Sequence, residues 1–159
     1  MLKWLWLSLL VLILDQASKL AIDATMQLYD SIPLLPYFNL TYAHNTGAAF
    51  SFLAKAGGWQ RWLFAGLALV MSGIIGVWLA RLQKHETLLA VALSLVLGGA
   101  IGNLIDRVAY GYVIDFLDVY YKDWHWPAFN IADSAICIGV GLMVLESFGV
   151  GRKEADVLQ

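Results

Sequence analysis

The chain has 159 residues, 60% of them hydrophobic and 14% charged, with a formal net charge of -2 and a mean hydropathy of +0.70. An ordinary soluble domain is about 45–50% apolar and about 25% charged, and a chain this small has too much surface to hide so large an apolar share. Soluble globule and disordered tail are both excluded, near-neutral charge leaves no nucleic-acid footprint, and the single Cys137 supports neither a disulfide framework nor a multi-cysteine metal site.

The composition predicts an all-α integral membrane protein: one domain over 1–150 with four transmembrane helices, each needing about 20 residues to cross a core of roughly 30 Å. The first span covers about 4–22 and is apolar except for Asp15, Gln16, Ser18 and Lys19. Its start imitates a signal peptide, with Lys3 before an apolar run through Leu14. No small-x-small cleavage pattern follows, and apolar character resumes at Leu20, so it reads as an uncleaved span. A loop over 23–61 carries Pro33, Pro36 and the β-forming stretch Tyr37–Tyr42, which predicts a small sheet on the membrane surface. Gly57-Gly58 then breaks the chain before an amphipathic entry, Trp59–Trp62. The second span, about 62–79, and the third, about 88–105, carry no charge. A loop over 106–130 leads to the fourth span, about 131–148, with Asp133 at its start and Glu146 near its end; residues 151–159 form a polar tail.

Lys and Arg set the orientation. Lys3, Arg81, Lys84, Arg152 and Lys153 fall on one side in a short loop and two tails, while Lys55, Arg61, Arg107 and Lys122 spread over two much longer loops. Both termini are expected to be cytoplasmic and the long loops to face outward. Eleven of the fourteen Trp and Tyr residues lie in or beside those outer loops, more than an aromatic belt alone requires, which suggests a surface working at the lipid–water boundary.

Ionisable groups inside a bilayer are expensive and default to function. Asp15 and Lys19 share a helix face at i, i+4 in the favourable order. Two readings stay open: a self-neutralising pair with Lys19 reaching for the interface, or one wall of an intramembrane site. Gly98 and Gly102 make a small-xxx-small packing face. Asn103 and Arg107 point together at the outer end of the third span, either as helix packing capped by an interfacial arginine or as part of a site. Asp115, in the strand-like Tyr112–Phe116, and Asp133, where the fourth helix begins, sit at one depth among apolar neighbours. The bland alternatives are a turn acid, as Asp118 and Asp123 are read, and a helix N-cap. Two carboxylates brought together keep one proton between them, and such a pair can activate water and polarise an amide carbonyl. His44, His85 and His125 are scattered without metal-ligand spacing, no Gly-x-Ser-x-Gly elbow exists, and Cys137 reads as a small buried hydrophobe. A small transporter lined by Asp15, Lys19, Asp106 and Asp133 is the rival class; such proteins tend to show internal repeats and broken helices, whereas no repeat is visible in this sequence and its polar residues cluster at one face instead of crossing the membrane.

Five blocks in order carry a resemblance: Asp15–Lys19, His44–Phe50, Gly99–Arg107, Val113–Phe116 and Phe129–Asp133. Together they resemble the motifs of the signal peptidase II (lipoprotein signal peptidase) family, bacterial inner-membrane aspartic proteases. The resemblance spans nearly the whole chain. It implies that Asp115 and Asp133 are the catalytic pair, with Asp15, Lys19, Asn45, Asn103, Arg107 and Asn130 supporting the site or binding substrate. It also implies a small periplasmic antiparallel β-sheet (a cradle) near 37–52 and a short amphipathic periplasmic helix around Gly57–Trp62. The implied substrate is a diacylglyceryl-modified prolipoprotein, cut before its lipidated cysteine at the periplasmic face, in contact with membrane lipid and without metal or cofactor; one complete set of motifs per chain is compatible with a working monomer. Gly47, in Gly47-Ala48-Ala49, would let backbone approach the bound peptide closely. Asp133 at a helix N-terminus is favoured as the anion, which hints that it is the base, although a coupled pair titrates jointly.

Overall fold

The computed structural model describes residues 1–47 and 58–150. A 3-10 turn, Leu2–Trp4, leads into α1 (Leu5–Thr25). Strands β1 (Ser31–Leu35) and β2 (Phe38–Asn45) follow, then the helices α2 (Trp59–Arg81) and α3 (Thr87–Ala109). Strands β3 (Val113–Tyr121) and β4 (Trp124–His125) precede α4 (Ile131–Ser147). Three segments, Leu2–Thr25, Trp59–Arg81 and Thr87–Ala109, are long and apolar enough to cross a bilayer. At a rise of about 1.5 Å per residue the 23 residues of α3 run about 34 Å, a full hydrocarbon core.

α3 is the axis on which the other helices pack, and its glycines permit it. A Cβ on Gly98 would meet the Ser8 carbonyl oxygen of α1 at 2.7 Å, and one on Gly102 would meet Asp15 Oδ2 at 2.6 Å. On the opposite side Gly99 lies against the Ala132 carbonyl of α4, and a Cβ on Gly139 of α4 would meet the Ala92 carbonyl at 2.7 Å. Ser8 Oγ adds a 2.7 Å hydrogen bond to the Ser94 carbonyl between α1 and α3. The small-residue face predicted at Gly98 and Gly102 is therefore a contact with α1. α2 packs through Ile75 and Leu79 onto Leu89, Leu93 and Leu97, and turns Leu63, Leu67, Val70, Ile74 and Val77 outward. An apolar stripe of that length has no place in water; with the bilayer-length helices, it makes this a multi-pass membrane protein.

The sheet is four-stranded and antiparallel, in the order β1-β2-β3-β4. It seats on the ends of α1 and α4 through Ile22, Met26, Tyr42, Ile114 and Phe116, with Ile131 packed beside them. Pro33, which lacks an N–H, is tolerated because β1 is an edge strand. The sequence reading located the β-forming segments at Tyr37–Tyr42 and Tyr112–Phe116, but β3 runs on to Tyr121. Asp118, read as a turn acid, is instead buried in β3, held by Asn39 Nδ2 at 2.8 Å and by His125 Nδ1 at 2.9 Å. Asp123 does lie in the β3–β4 turn.

Two further expectations change. Trp59–Trp62 are not a separate amphipathic helix: they form the first turn of α2, which starts directly after Gly58, a left-handed N-cap with φ +83°. The rest of that expectation, at Gly57, and the end of the predicted sheet region, 48–52, lie outside the described residues, as does the tail 151–159. Cys137 is exposed on α4, not buried; the neighbouring Ile138 shares that outward face, which in a membrane protein is the apolar side.

Candidate active site

The third residue of β3 is Asp115. The run Val113-Ile114-Asp115-Phe116, β-branched and aromatic around the acid, favours a strand, and its pairing with β2 sets Asp115 opposite Ala43. The carboxyl is 2% exposed. Its Oδ2 accepts a hydrogen bond from Asn45 Nδ2 at 2.9 Å and its Oδ1 one from Asn130 Nδ2 at 2.8 Å. Burial, joined by the charge of Asp133, pushes the Asp115 carboxyl up to about 7, against the opposing pull of Asn45, Asn130 and Lys19.

Asp133 lies in the first turn of α4, but it is not the N-cap. That place belongs to Asn130, whose Oδ1 accepts from the Asp133 N–H at 2.9 Å while Asp133 Oδ2 accepts from the Asn130 N–H at 3.3 Å, a reciprocal capping box. The other oxygen, Oδ1, accepts from Asn103 Nδ2 at 2.7 Å. A helix N-terminus and two donors work for the anion here, against burial, which disfavours the charge. The two acids are joined by the amides between them: Asn130 Nδ2 faces Asp115, and it also lies 3.2 Å from the Asn103 Oδ1 whose Nδ2 holds Asp133. The backbone reinforces the join, since the Phe129 carbonyl accepts from the N–H groups of both Phe116 and Leu117 at 3.0 and 2.8 Å.

Behind the amides lies a buried ionic cluster. Lys19, 2% exposed, donates to Asp15 Oδ2 at 2.7 Å, to Asp106 Oδ2 at 2.9 Å and to Asn103 Oδ1 at 3.0 Å, so its three protons have three acceptors. The pairing with Asp15 that the first reading expected is present, but the ammonium is buried and does not reach for the interface. Asp15 Oδ1 accepts from the Ala132 N–H at 2.9 Å and so ties α1 to the start of α4.

The remaining predicted residues divide. Gly47 has φ +89°, and its N–H donates to Asn45 Oδ1 at 2.9 Å, which turns the Asn45 NH2 toward Asp115. A Cβ there would meet the Phe64 ring at 2.6 Å, so the close approach Gly47 permits is to α2; Ala48 and Ala49 lie outside the described residues. Arg107 donates to the Asn103 carbonyl at 3.2 Å and stands 5.5 Å from the Phe64 ring centroid, beside the pair but with no ion pair among the described residues. Sequence reasoning did not place Asp106 or Gln16 in the site. Asp106 is buried, and Gln16 Nε2 donates to its Oδ1 at 2.9 Å. The available signal was spacing: Asp106 follows Asn103 by three residues and so shares its helix face.

Two buried carboxyl groups joined through shared amide side chains, one of them pushed toward keeping its proton, are the kind of equipment an aspartic peptidase uses, carried here on helices of bilayer length. The sequence model of the family described as signal peptidase (SPase) II matches residues 7–149, and the chain belongs to that family. It is 54% identical to the lipoprotein signal peptidase of Alteromonas mediterranea over 155 residues, 98% of this chain and 85% of that one. The lipoprotein signal peptidase of Pseudomonas putida is 55% identical over 158 residues, 98% of this chain and 92% of that one. A bacterial membrane enzyme solved by the in meso method superposes with a TM-score of 0.82 at 32% identity, covering 96% of this chain and 92% of that one.

Proposed function

We propose that the protein removes the signal peptide from diacylglyceryl-modified prolipoproteins, cutting before the lipidated cysteine, with Asp115 and Asp133 as the catalytic pair. The observation that carries this is the bridge through Asn103 and Asn130, which gives two carboxylates different environments within one buried network. The Asp133 carboxylate takes a proton from water as the water oxygen bonds to the scissile carbonyl carbon. Protonated Asp115 donates to the carbonyl oxygen, leaving a neutral tetrahedral diol. Asp133 then returns its proton to the leaving nitrogen as the C–N bond breaks, and a diol hydroxyl gives its proton back to Asp115, which restores the pair. Asp15, Lys19, Asn103 and Asn130 hold the pair in place. Asn45 and Gly47 border the substrate side of β2, and Arg107 offers a cation at the rim.

The enzyme acts as a four-span monomer of the bacterial inner membrane, with both termini cytoplasmic and the sheet and catalytic pair at the periplasmic face. Support for α4 as the fourth span comes from its outward Ile138, Val140, Val144 and Leu145 and from its 17 residues, the short end of the spanning range. The gathering of Asp15, Lys19, Asp106 and Asp133 in one network favours an enzyme over a transporter, whose polar path would continue through the membrane.

The test is cleavage of a lipidated precursor in membranes by Asp115→Asn and Asp133→Asn separately. Each should lose roughly 10²–10⁴-fold in rate while folded protein is retained. Near-wild-type cleavage by either variant would exclude the pair.

A further inference from the structure

Asp106 is a buried carboxylate near the site to which the proposed chemistry gives no role. It accepts three hydrogen bonds from three directions: from Lys19 Nζ at 2.9 Å and Gln16 Nε2 at 2.9 Å, both on α1, and from the Ile114 N–H at 3.2 Å at the start of β3. Ile114 is the residue before Asp115, so Asp106 fixes the strand immediately behind the catalytic acid. Through Lys19 it also reaches Asn103 Oδ1, and through Asn103 Nδ2 it reaches Asp133. Asn130 bridges the same two routes from the α4 side, through the Ile114 carbonyl and Asn103 Oδ1, and Asp106 does so from behind.

The formal charges make the second part of the argument. Lys19 is a single cation between Asp15 and Asp106, so the cluster carries one negative charge in excess, in surroundings where charge is poorly screened. The charged groups around the pair are Asp15 and Lys19 on α1, Asp106 and Arg107 on α3, Asp115 on β3 and Asp133 on α4; β2 contributes the neutral Asn45. Apart from the acid pair itself, the formal charges of Lys19 and Arg107 balance those of Asp15 and Asp106; without Asp106 one positive charge would be left in excess.

We propose that Asp106 is a positioning residue for the peptidase reaction: it anchors β3 behind Asp115 and supplies the negative charge that helps the catalytic pair keep its shared proton. The inference rests on the catalytic assignment of Asp115 and Asp133. A fixed negative charge nearby makes removal of a proton from either acid harder, and its loss makes that removal easier. Neutralising position 106 therefore moves both limbs of the pH–kcat/KM profile toward lower pH.

The experiment is the pH profile of precursor cleavage by Asp106→Asn, Asp106→Glu and the wild type, with folded protein measured for each by thermal unfolding in detergent. For D106N both limbs should move down by about half a unit or more, with kcat falling several-fold and KM little changed. D106E, which keeps the charge, should return the limbs to the wild-type position. If D106N does not accumulate as folded protein, Asp106→Ser removes the same charge with a smaller side chain and should give the same downward shift. Unmoved limbs in a folded neutral variant overturn the proposal, as does an activity loss that only follows the loss of folded protein, or the failure of both neutral variants to fold. Asp115→Asn and Asp133→Asn run beside them: if those remain active the catalytic assignment fails, whereas inactive pair variants with an unmoved D106N profile sink the role of Asp106 alone.

Discussion

Asn103, Asn130 and Asn45 each have one end of the amide committed before Asp115 and Asp133 are considered. Lys19 is only a donor, so Asn103 must present Oδ1 to it and its NH2 to Asp133. The Asp133 N–H claims Asn130 Oδ1, which turns that NH2 toward Asp115. The Gly47 N–H claims Asn45 Oδ1 with the same result. All three asparagines thus donate to the acids. A prediction follows for Asn45→Leu. The donor favours the Asp115 carboxylate, so its loss raises the carboxyl further above about 7. The pair works with one proton, present below that value and lost above it, so the alkaline limb of cleavage should move to higher pH. A limb that stays put or falls would show that Asn45 does not tune the acid. At this scale the sequence exposed the acids and asparagines but not their partners. Lys19 could be read as reaching for water because hydropathy describes a residue's neighbours along the chain, and its carboxylate at 106 is supplied by another helix.

At the scale of elements, the close approach of α3 to α1 and α4 depends on bare backbone. Gly99 lies against the Ala132 carbonyl and 2.8 Å separates its Cβ position from Ile136 Cγ1, whereas nothing lies within 4 Å of the Cβ position at Gly73 on α2. Gly99→Ala should therefore cost about 1–3 kcal/mol by overpacking, while Gly73→Ala should be neutral or gain up to about 1 kcal/mol through helix propensity. Thermal unfolding in one detergent decides between them, and equal effects would contradict the packing described. The helices were legible because apolar runs of bilayer length have few alternatives. Strand extents were not: Val119–Tyr121 lies between the charged Asp118 and Lys122 next to a turn, and its pairing with Phe38 and with His125 depends on segments far along the chain or across the hairpin. Asp118 looked like a turn acid for the same reason.

At the scale of the molecule, orientation in the membrane rests on Lys and Arg density and on the family, and it can be measured directly. Cys137 faces outward on α4, and Cys137→Ala should leave cleavage unchanged and stability within about 0.5 kcal/mol. On that background a cysteine at Tyr29 or Tyr121, both exposed on the sheet side, should react with a membrane-impermeant thiol reagent added to intact cells. A cysteine at Gln83, in the α2–α3 connection, should react only after the membrane is opened. The reverse pattern would invert the proposed topology.

The hydrogen bond from the Ala132 N–H to Asp15 spans 117 residues of sequence, and Lys19 meets Asn103 across 84. Contacts so distant close only after the intervening chain exists. While the ribosome is still extending the third helix, α4 and the second acid have not been made, so a chain part-way through synthesis has no competent centre. On the proposed assignment, cleavage begins only when the last helix arrives.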